Sequence, residues 1–496
     1  MEKKYQSTRN KNIEYSASQA ILAGLSPDGG LFVLPNLDDV SLDISECLNK
    51  DYQEVASLVL NQFFNEFSEN DIKECVKQAY SNTFSDKAIT PLKKVGDDFV
   101  LELFHGPTCS FKDVALSLLP KLMTLSAKTQ NNHHKRLILT ATSGDTGKAA
   151  LEGFKNDPLV DIIIFYPNDG VSTIQEKQMQ TQDGDNVAIY AINGNFDDAQ
   201  SSVKTLFNDQ ELVSLLGEKN IEFSSANSVN IGRLVPQVVY YFVSYAELVI
   251  KKEINLGDKV DFVVPTGNFG NILAGYFAKQ MGVPINKLIC ASNENNVLYD
   301  FLTTGTYDIN REFKKTSSPS MDILISSNLE RMLYYMSGGD AEYINQLMTD
   351  LKSTGKFSVS DELLEKIQTN FGTGYADDKQ VVKMIDKVYE KEGYLLDPHT
   401  AVAMHVLENQ PKDDCKKVIL STASPYKFVQ EVAKDIPELN IDTTKDEFDI
   451  IENLETATKV SAPSQLKDLK NAPIKHDEII DIKQMKDVIV KQVGGE

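Results

Sequence analysis

The sequence predicts an α/β protein with two α/β lobes and a mainly helical N-terminal region. Between about residues 96 and 430, short apolar runs alternate with helical stretches. Most of these runs are apolar throughout, which is typical of buried, largely parallel strands. At 496 residues the chain is too long for one ordinary core. Its composition, 41% hydrophobic and 25% charged, is that of a soluble globular protein.

The predicted elements fall into four regions. Residues 1–95 form the mainly helical region, interrupted by a turn and strand at SPDGGLFVLP. Two lobes follow at 96–245 and 246–455, the second with a polar helical insertion at about 305–395. A C-terminal tail covers 456–496. The predicted strands lie in FVLELF, KRLILTAT, VDIIIFYP, NVAIYAI, VDFVVPTG, KLICAS and KKVILSTAS.

The net charge of the chain argues against two classes of binding partner. Fifty Lys and Arg residues against 72 Asp and Glu give a formal net charge of −22, which repels nucleic acid and anionic membranes. An anionic substrate would then need a local basic pocket. The five cysteines lack the spacing of a metal site or a disulfide framework, and the charged start lacks the apolar core of a signal peptide. We therefore expect a cytoplasmic protein without a metal site.

Lys112, in the segment FHGPTCSFKD, has two interpretations. It begins a helical pattern, so it can be a surface ammonium at a helix start. Alternatively it is held partly out of water, where its amine acts as a nucleophile or bonds a carbonyl cofactor as a Schiff base. The residues around it do not decide between the two.

The loop in LILTATSGDTGKAALEGF has the composition of an anion site. The strand is predicted to end at Thr142, and the hydroxyls of Ser143 and Thr146 add to the free amides of the helix start. An ordinary capped turn is the alternative. Thr142 and Ala149 break the pattern of a nucleotide-binding P-loop, which argues against a phosphotransferase.

A second loop, in VDFVVPTGNFGNILAGYFAK, follows another buried strand. Gly267 and Gly270 let the backbone fold closely around a tetrahedral anion at a helix start. These glycines are three residues apart, whereas the first two of the dinucleotide fingerprint are two apart. The loop therefore suits a single phosphate monoester better than a pyrophosphate.

Two further segments offer polar side chains to a ligand. In SSANSVNIGRLVPQ several side chains can converge on one oxyanion, and the alternative is an Asn-capped helix with a surface arginine. The hydroxyls in KKVILSTASPYKF follow a buried strand and can meet a ligand edge or simply form a turn. The residues concerned are Asn227, Ser228, Asn230, Arg233, Ser421 and Thr422.

Together these parts are those needed to hold pyridoxal phosphate and an amino-acid substrate. One lysine can bond the cofactor, and the glycine loop can hold its phosphate. The other anion loop can take the substrate carboxylate.

Six segments in order resemble the signature segments of the threonine synthase family, and they span nearly the whole chain: YQSTRN, LAGLSPDGGLFVLP, FHGPTCSFKD, ATSGDTGKAA, PTGNFGNILAGYFAK and LSTASPYKF. The N-terminal segments are similar to those of the longer microbial and fungal type. The resemblance implies a fold-type-II pyridoxal-phosphate enzyme, like the tryptophan synthase β subunit. It implies a lyase of threonine biosynthesis that converts O-phospho-L-homoserine and water to L-threonine and phosphate, by γ-elimination and β-addition of water.

The resemblance also implies a role for each matching residue. Lys112 matches the Schiff-base lysine, and Thr422 matches the hydroxyl that meets the pyridine nitrogen. The cofactor-phosphate loop is Gly267, Asn268, Phe269, Gly270 and Asn271. The substrate-carboxylate loop is Thr142, Ser143 and Thr146. The substrate-phosphate pocket is Asn230 and Arg233, with Ser228 and Lys177 as weaker matches.

Three positions depart from the family pattern. Ser424 stands where members of this type usually have a histidine, Cys109 stands where an aliphatic residue is more usual, and Asp145 stands where shorter relatives have an asparagine near the cofactor's 3-oxygen. We assign no contact to Asp145 from the sequence. The alternative function is a pyridoxal-phosphate-dependent amino-acid dehydratase or phospho-lyase on the same fold, which would release ammonia and a keto acid. A catalytically silent homologue would have a damaged lysine or glycine loop, and both are intact. We expect a monomer or homodimer.

Overall fold

The computed structural model describes residues 2–142, 144–168, 171–194 and 196–494, apart from the side chains at 196 and 197. Ser143, one of the predicted carboxylate-loop residues, therefore lies outside the described residues. Within these ranges no helix combines the length and the apolar character that crossing a lipid bilayer requires.

The N-terminal region combines a small antiparallel sheet with three helices. The elements are β1 (Tyr5–Ser7), β2 (Glu14–Tyr15), α1 (Ala17–Ala23), β3 (Phe32–Val33), α2 (Tyr52–Phe63) and α3 (Glu69–Tyr80), and β1 is the central strand. Each helix begins after a side chain that accepts a hydrogen bond from a first-turn amide: Ser16, Asp51 and Ser68. Such caps satisfy backbone donors that a helix start leaves without partners.

Strands and helices then alternate up to residue 250. These elements are β4 (Leu92–Val95), β5 (Asp98–Glu102), α4 (Lys112–Leu116), α5 (Leu119–Thr129), β6 (Lys135–Ala141), α6 (Asp145–Phe154), β7 (Val160–Pro167), α7 (Thr173–Gln180), β8 (Val187–Asn193), α8 (Phe196–Phe207), α9 (Gln210–Glu218), β9 (Ile221–Ser224), α10 (Ile231–Leu234) and α11 (Val238–Ile250). The apolar segment RLVPQVVYYFVSYAELVI spans the second half of α10, a short 3₁₀ helix and all of α11, and most of its side chains are buried in the core.

The alternation continues to the end of the chain. The elements are β10 (Val260–Pro265), α12 (Gly270–Met281), β11 (Ile285–Ser292), α13 (Val297–Thr304), β12 (Thr306–Asp308), α14 (Leu329–Met336), α15 (Ala341–Thr354), β13 (Lys356–Ser358), α16 (Asp361–Asn370), β14 (Phe371–Tyr375), α17 (Asp378–Glu392), α18 (Pro398–Glu408), β15 (Lys416–Ser421), α19 (Val429–Lys434), α20 (Glu447–Thr458), α21 (Ser464–Lys467), β16 (Ile479–Asp481) and α22 (Met485–Gln492). The predicted insertion at 305–395 is largely helical, although it also carries β12, β13 and β14.

Two large sheets organise these elements. One has five parallel strands in the order β16, β8, β7, β6, β9. The other has six strands in the order β14, β11, β10, β15, β5, β4, of which only β4 is antiparallel to its neighbour. In β7 all eight residues are buried, which explains why its sequence is apolar almost without interruption. The predicted α/β fold is confirmed.

The strand pairing cuts across two of the predicted region boundaries. β5 lies within the predicted lobe 96–245, but it pairs with β15 in the six-stranded sheet. β16 lies within the predicted tail 456–496, but it pairs with β8 in the five-stranded sheet. Hydrogen bonds between distant segments decide both placements, and no local sequence pattern records such pairings.

Arg331 joins the N-terminal region to the rest of the molecule. It is fully buried on α14, and its guanidinium donates hydrogen bonds to the carbonyl oxygens of Phe32 on β3 (3.0 Å) and Val229 (2.6 Å), and to the side-chain oxygen of Asn328 (2.6 Å). A single side chain therefore holds three separate segments together. Burial lowers the pKa of Arg331 to about 10.

We expect Arg331→Leu to lower the free energy of unfolding by about 3 kcal/mol, because three buried acceptors lose their donor. Urea denaturation followed by circular dichroism measures the change. The control is Lys94→Met, since Lys94 forms an exposed ion pair with Glu253; that variant should stay within about 0.5 kcal/mol of the wild type. Equal losses in both variants would contradict the anchoring role of Arg331.

Candidate active site

A cavity of about 580 Å³ is lined by residues at the carboxyl ends of β6, β10 and β15 and at the starts of α4, α6 and α12. Ligands of parallel α/β sheets commonly bind at such strand ends. Most of the predicted site residues line it: Lys112, Thr142, Thr146, Ser228, Arg233, Gly267, Asn268, Phe269, Gly270, Asn271 and Thr422. Segments far apart in sequence thus meet at one site.

The backbone fixes Lys112 beside Thr422. The amide of Phe111 donates a hydrogen bond to the carbonyl oxygen of Thr422 (2.8 Å), and the amide of Ser424 donates one to the carbonyl oxygen of Cys109 (3.1 Å). These two bonds tie the loop before α4 to the loop after β15. The first residue of α4 is Lys112 itself, so the tie sets where its side chain begins.

Asp113 braces the same loop from within. Its carboxylate accepts hydrogen bonds from the amide (2.9 Å) and the hydroxyl (2.6 Å) of Thr108. Burial raises the pKa of Asp113 to about 6, although the bonds from Thr108 favour the charged form. The carboxylate thereby closes the turn that precedes Lys112.

The Lys112 amine is almost completely out of water. The residue is 8% exposed, and Nζ lies 3.3 Å from a carboxylate oxygen of Asp145 and 3.3 Å from the hydroxyl of Ser320. Burial lowers the pKa of Lys112; Asp145 opposes this shift, whereas Lys427 and Arg233 add to it. Of the two interpretations from sequence, the buried lysine agrees with the structure, and the surface ammonium does not.

Asp145, which has no contact assigned from sequence, lies between two lysines. Its carboxylate is 3.3 Å from Lys112 Nζ and 2.6 Å from Nζ of the fully buried Lys427, and it accepts a hydrogen bond from the Gln175 amide (3.1 Å). Burial alone would raise the pKa of Asp145, but Lys427 and Lys112 more than offset it and hold the pKa well below its usual value. Asp145 is therefore a permanent anion at the cavity wall.

The glycine loop passes very close to its neighbours. A Cβ atom on Gly267 would lie 2.8 Å from the carbonyl oxygen of Ser320, which explains the absence of a side chain there. Phe269 has a left-handed backbone (φ 59°) and directly precedes α12. The twelve residues of α12 begin with Gly270 and Asn271, both on the cavity wall. Helix-start amides and the helix dipole favour an anion at this place.

Within the described part of the chain, the side chain of Asn271 has a free hydrogen-bond donor at the place where a phosphate would bind. Its side-chain oxygen accepts hydrogen bonds from Tyr240 (2.6 Å) and Tyr241 (2.9 Å). Its buried side-chain nitrogen, by contrast, has no acceptor among the described residues. A buried donor without a partner is costly, and it lies on the cavity wall at the start of α12. The residues present therefore fit a phosphate group here.

The predicted carboxylate loop is shaped by Thr142. Its hydroxyl oxygen accepts hydrogen bonds from the amides of Gly144 (3.0 Å) and Gly147 (2.9 Å), which bends the chain into α6. Because the oxygen is used as an acceptor, the hydroxyl hydrogen is left to donate to a ligand. Thr146 stands one residue after Asp145 on the cavity wall.

Arg233 is a buried cation in the same cavity. It is 5% exposed, and its guanidinium donates to the carbonyl oxygen of Ala226 (2.7 Å). No carboxylate of the described residues forms an ion pair with it. Burial lowers the pKa of Arg233 to about 10, so it remains charged at neutral pH. Ser228 lies nearby on the wall, where Asn328 donates a hydrogen bond to its hydroxyl (3.1 Å) and another to the carbonyl oxygen of Asn268 (3.1 Å).

Two residues with a predicted substrate-phosphate contact are not on the cavity wall. The Asn230 side chain caps α10 through the Gly232 amide (2.9 Å) and donates to the carbonyl oxygens of Ile21 and Ser225, both at 3.0 Å. Its polar atoms are thus used within the protein. Lys177 lies half-buried on α7 and outside the cavity lining. Their proposed phosphate contacts stay predictions.

Sequence reasoning missed several polar wall residues, among them Ser320 and His399. His399 Nδ1 contacts Asp397 (2.8 Å), and its Nε2 accepts a hydrogen bond from the amide of Ser320 (3.2 Å). Both lie in parts of the chain without a strand-end signal, although an aspartate two residues before a histidine was a visible cue. Ser424, at the position where the family usually has histidine, accepts a bond from the Tyr426 amide (3.3 Å) and so caps a short 3₁₀ helix.

The chain is similar to known proteins over most of its length. The family model described as threonine synthase N terminus matches residues 4–80, and the model described as pyridoxal-phosphate dependent enzyme matches 89–422. Threonine synthase of Saccharomyces cerevisiae is 38% identical over 462 residues, covering 86% of this chain and 88% of that protein. Threonine synthase-like 1 of Homo sapiens is 40% identical over 438 residues, covering 85% of this chain.

The solved structure of pyridoxal-phosphate-bound threonine synthase from Brucella melitensis superposes with a TM-score of 0.88. Its sequence is 37% identical, and the match covers 99% of this chain and 100% of that chain. The present chain spans only 58% of the length of the human threonine synthase-like 1 protein. Over most of its own length, the chain nevertheless matches both the N-terminal and the cofactor-binding parts, and it belongs to the threonine synthase family of pyridoxal-phosphate-dependent enzymes.

Proposed function

We propose that this protein is a threonine synthase, which uses pyridoxal phosphate to convert O-phospho-L-homoserine and water to L-threonine and inorganic phosphate. One observation carries the proposal. The buried guanidinium of Arg233 shares a cavity with the buried amine of Lys112 and has no carboxylate partner among the described residues. A buried cation without a partner is costly, so this arrangement favours a substrate that brings its own anion.

The cofactor has a matching set of residues. We assign Lys112 to its aldehyde, Thr422 to its ring nitrogen, and the loop Gly267, Asn268, Phe269, Gly270 and Asn271 to its phosphate. When bound, pyridoxal phosphate supplies an electron sink for the carbon atoms near the substrate's amino group. The unpaired donor of Asn271 and the start of α12 support the phosphate assignment.

The remaining residues hold the substrate and move protons. Thr142 and Thr146, with Ser143 from the sequence, receive the carboxylate, while Arg233 and Ser228 hold the phosphate until it leaves. Lys112 takes and returns protons at the substrate carbons, because its amine is buried and its pKa is lowered. The small opening of Lys112 to solvent, 8%, keeps bulk water from exchanging these protons freely.

We also propose a cytoplasmic monomer or homodimer that acts on this small molecule. The five cysteines are free thiols, and four of them are buried. Free buried cysteines are typical of proteins in reducing compartments.

The deciding experiment follows L-threonine and inorganic phosphate while cofactor-loaded protein turns over O-phospho-L-homoserine. We expect equal amounts of both products. Phosphate accompanied by a keto acid and ammonia, without threonine, would instead identify a dehydratase or phospho-lyase that lacks the water-addition step.

We expect Lys112→Ala to lower kcat by at least about 1,000-fold, because the amine that bonds the cofactor and moves protons is gone. The visible absorbance of the protein-bound cofactor should also disappear. Steady-state kinetics and an absorbance spectrum measure the two effects. A variant with the wild-type spectrum and normal turnover would remove Lys112 from its assigned role.

We expect Arg233→Ala to lower kcat/KM for O-phospho-L-homoserine by about 30- to 150-fold, which corresponds to losing about 2–3 kcal/mol of charge-assisted hydrogen bonding. Inorganic phosphate should also inhibit this variant more weakly. The matched control is Arg136→Ala, since Arg136 is buried to the same degree but pairs with Glu222 away from the cavity. Unchanged phosphate inhibition in Arg233→Ala would exclude Arg233 from phosphate binding.

We expect Gly267→Ala to weaken the binding of pyridoxal phosphate by about tenfold, because the new methyl group would press against the Ser320 carbonyl. Fluorescence titration of cofactor-free protein measures the dissociation constant. The control is Gly217→Ala in α9, where an added Cβ meets nothing within 4 Å. If both variants bind the cofactor equally well, the close approach of the glycine loop is not needed for binding.

A further inference from the structure

Lys427 is a buried cation that the proposed function does not use. It is 0% exposed, lies in the 3₁₀ helix Pro425–Phe428 and does not line the cavity. It therefore cannot touch a ligand in this cavity directly. Its Nζ lies 2.6 Å from Oδ1 of Asp145. Any effect of Lys427 on the site must pass through this carboxylate.

Two lysines contact the carboxylate of Asp145, which carries a single negative charge. Its Oδ1 is 2.6 Å from Lys427, and its Oδ2 is 3.3 Å from Lys112. The shorter contact belongs to the lysine that is farther from solvent. Since an uncompensated buried charge costs several kcal/mol, a cluster with one anion favours one charged lysine over two.

We propose that Lys427 is a positioning residue that neutralises Asp145 and thereby keeps the amine of Lys112 in its free-base form. This inference rests on the proposed function, in which Lys112 must bond a carbonyl and accept protons. A free amine can do both, whereas an ammonium can do neither. Lys427 thus sets the charge of the lysine without touching cofactor or substrate.

The other charged and titratable groups around the pair leave this balance in place. Arg233 is a further cation, which disfavours a charge on Lys112. Asp113 is a second buried carboxylate, and Lys427 favours its charged form, but it forms no ion pair with either lysine among the described residues and accepts hydrogen bonds from Thr108. Both ring nitrogens of His399 form hydrogen bonds: Nε2 accepts one from the amide of Ser320, and Nδ1 shares one with the carboxylate of Asp397.

The test compares Lys427→Met with the wild type in the cofactor-loaded protein. Without Lys427, Asp145 attracts the proton of Lys112 alone, and the repulsion from a second cation is removed. In this form the Lys112 nitrogen is bonded to the cofactor, but the same neighbouring charges act on it, so we expect the pH at which it loses its proton, read from the absorbance of the bound cofactor, to rise by about one unit. An unchanged transition would overturn the proposal.

A second measurement uses the full-length, cofactor-free protein and needs no cofactor spectrum. Competitive acetylation with acetic anhydride, followed by peptide mass spectrometry, reports the fraction of Lys112 in the free-base form. At the pH where about half of wild-type Lys112 is in the free-base form, Lys112 should react about fivefold more slowly in Lys427→Met, because a one-unit shift leaves only about a tenth of it unprotonated. Lys427→Arg should behave like the wild type, because it restores the cation.

Two more variants separate this role from a general loss of structure. Lys148→Met is the matched control: Lys148 is also a buried lysine on α6, but it contacts Gln182 and Glu152. It should leave the Lys112 transition unchanged.

Asp145→Asn should move the transition in the opposite direction, to lower pH, since the anion is lost. If Lys427→Met does not fold, a transition in Asp145→Asn that stays at the wild-type pH overturns the proposal. None of these readouts uses O-phospho-L-homoserine, so they are independent of whether threonine is the product.

Discussion

The site depends on keeping several basic side chains buried together, away from bulk solvent. The cavity is lined by Lys112 and Arg233, and Lys427 lies behind its wall. The carboxylate of Asp145, which contacts both lysines, offsets the cost of burying these side chains. The carboxylate compensates one lysine directly and is shared with the other. Arg233 stays uncompensated among the described residues, so an anionic ligand would complete the balance. The charges in the cavity thus favour an anionic ligand.

The positive charge in the cavity is opposite in sign to the net charge of the whole molecule. The chain has a formal net charge of −22, which by itself would repel a doubly charged phosphate monoester. Charges on the surface act through water and salt, whereas those in the cavity act across a low dielectric over a few ångströms. The cavity cations therefore govern binding once a ligand is inside.

The two loops that form the walls are held both by backbone hydrogen bonds and by buried polar side chains. The loop before Lys112 is tied to that around Thr422, and Asn328 bridges the glycine loop and the segment of Ser228. Asn328 is in turn fixed by Arg331, which also holds the N-terminal region. Through this chain of contacts, the N-terminal region supports the glycine loop although it contributes little of the cavity surface.

The sequence by itself determined the α/β class, the principal strands and the loops at their carboxyl ends, because buried parallel strands need continuous apolar runs and phosphate loops need glycine. Family motifs then identified Lys112, Thr422 and the glycine loop as candidates. Only the tertiary structure decided that β5 and β16 pair with strands outside their predicted regions. It also decided that the Asn230 side chain hydrogen-bonds within the protein and that Lys427 contacts Asp145. Hydrogen bonds and ion pairs between distant segments make these choices, and they leave no periodic or local pattern in the sequence.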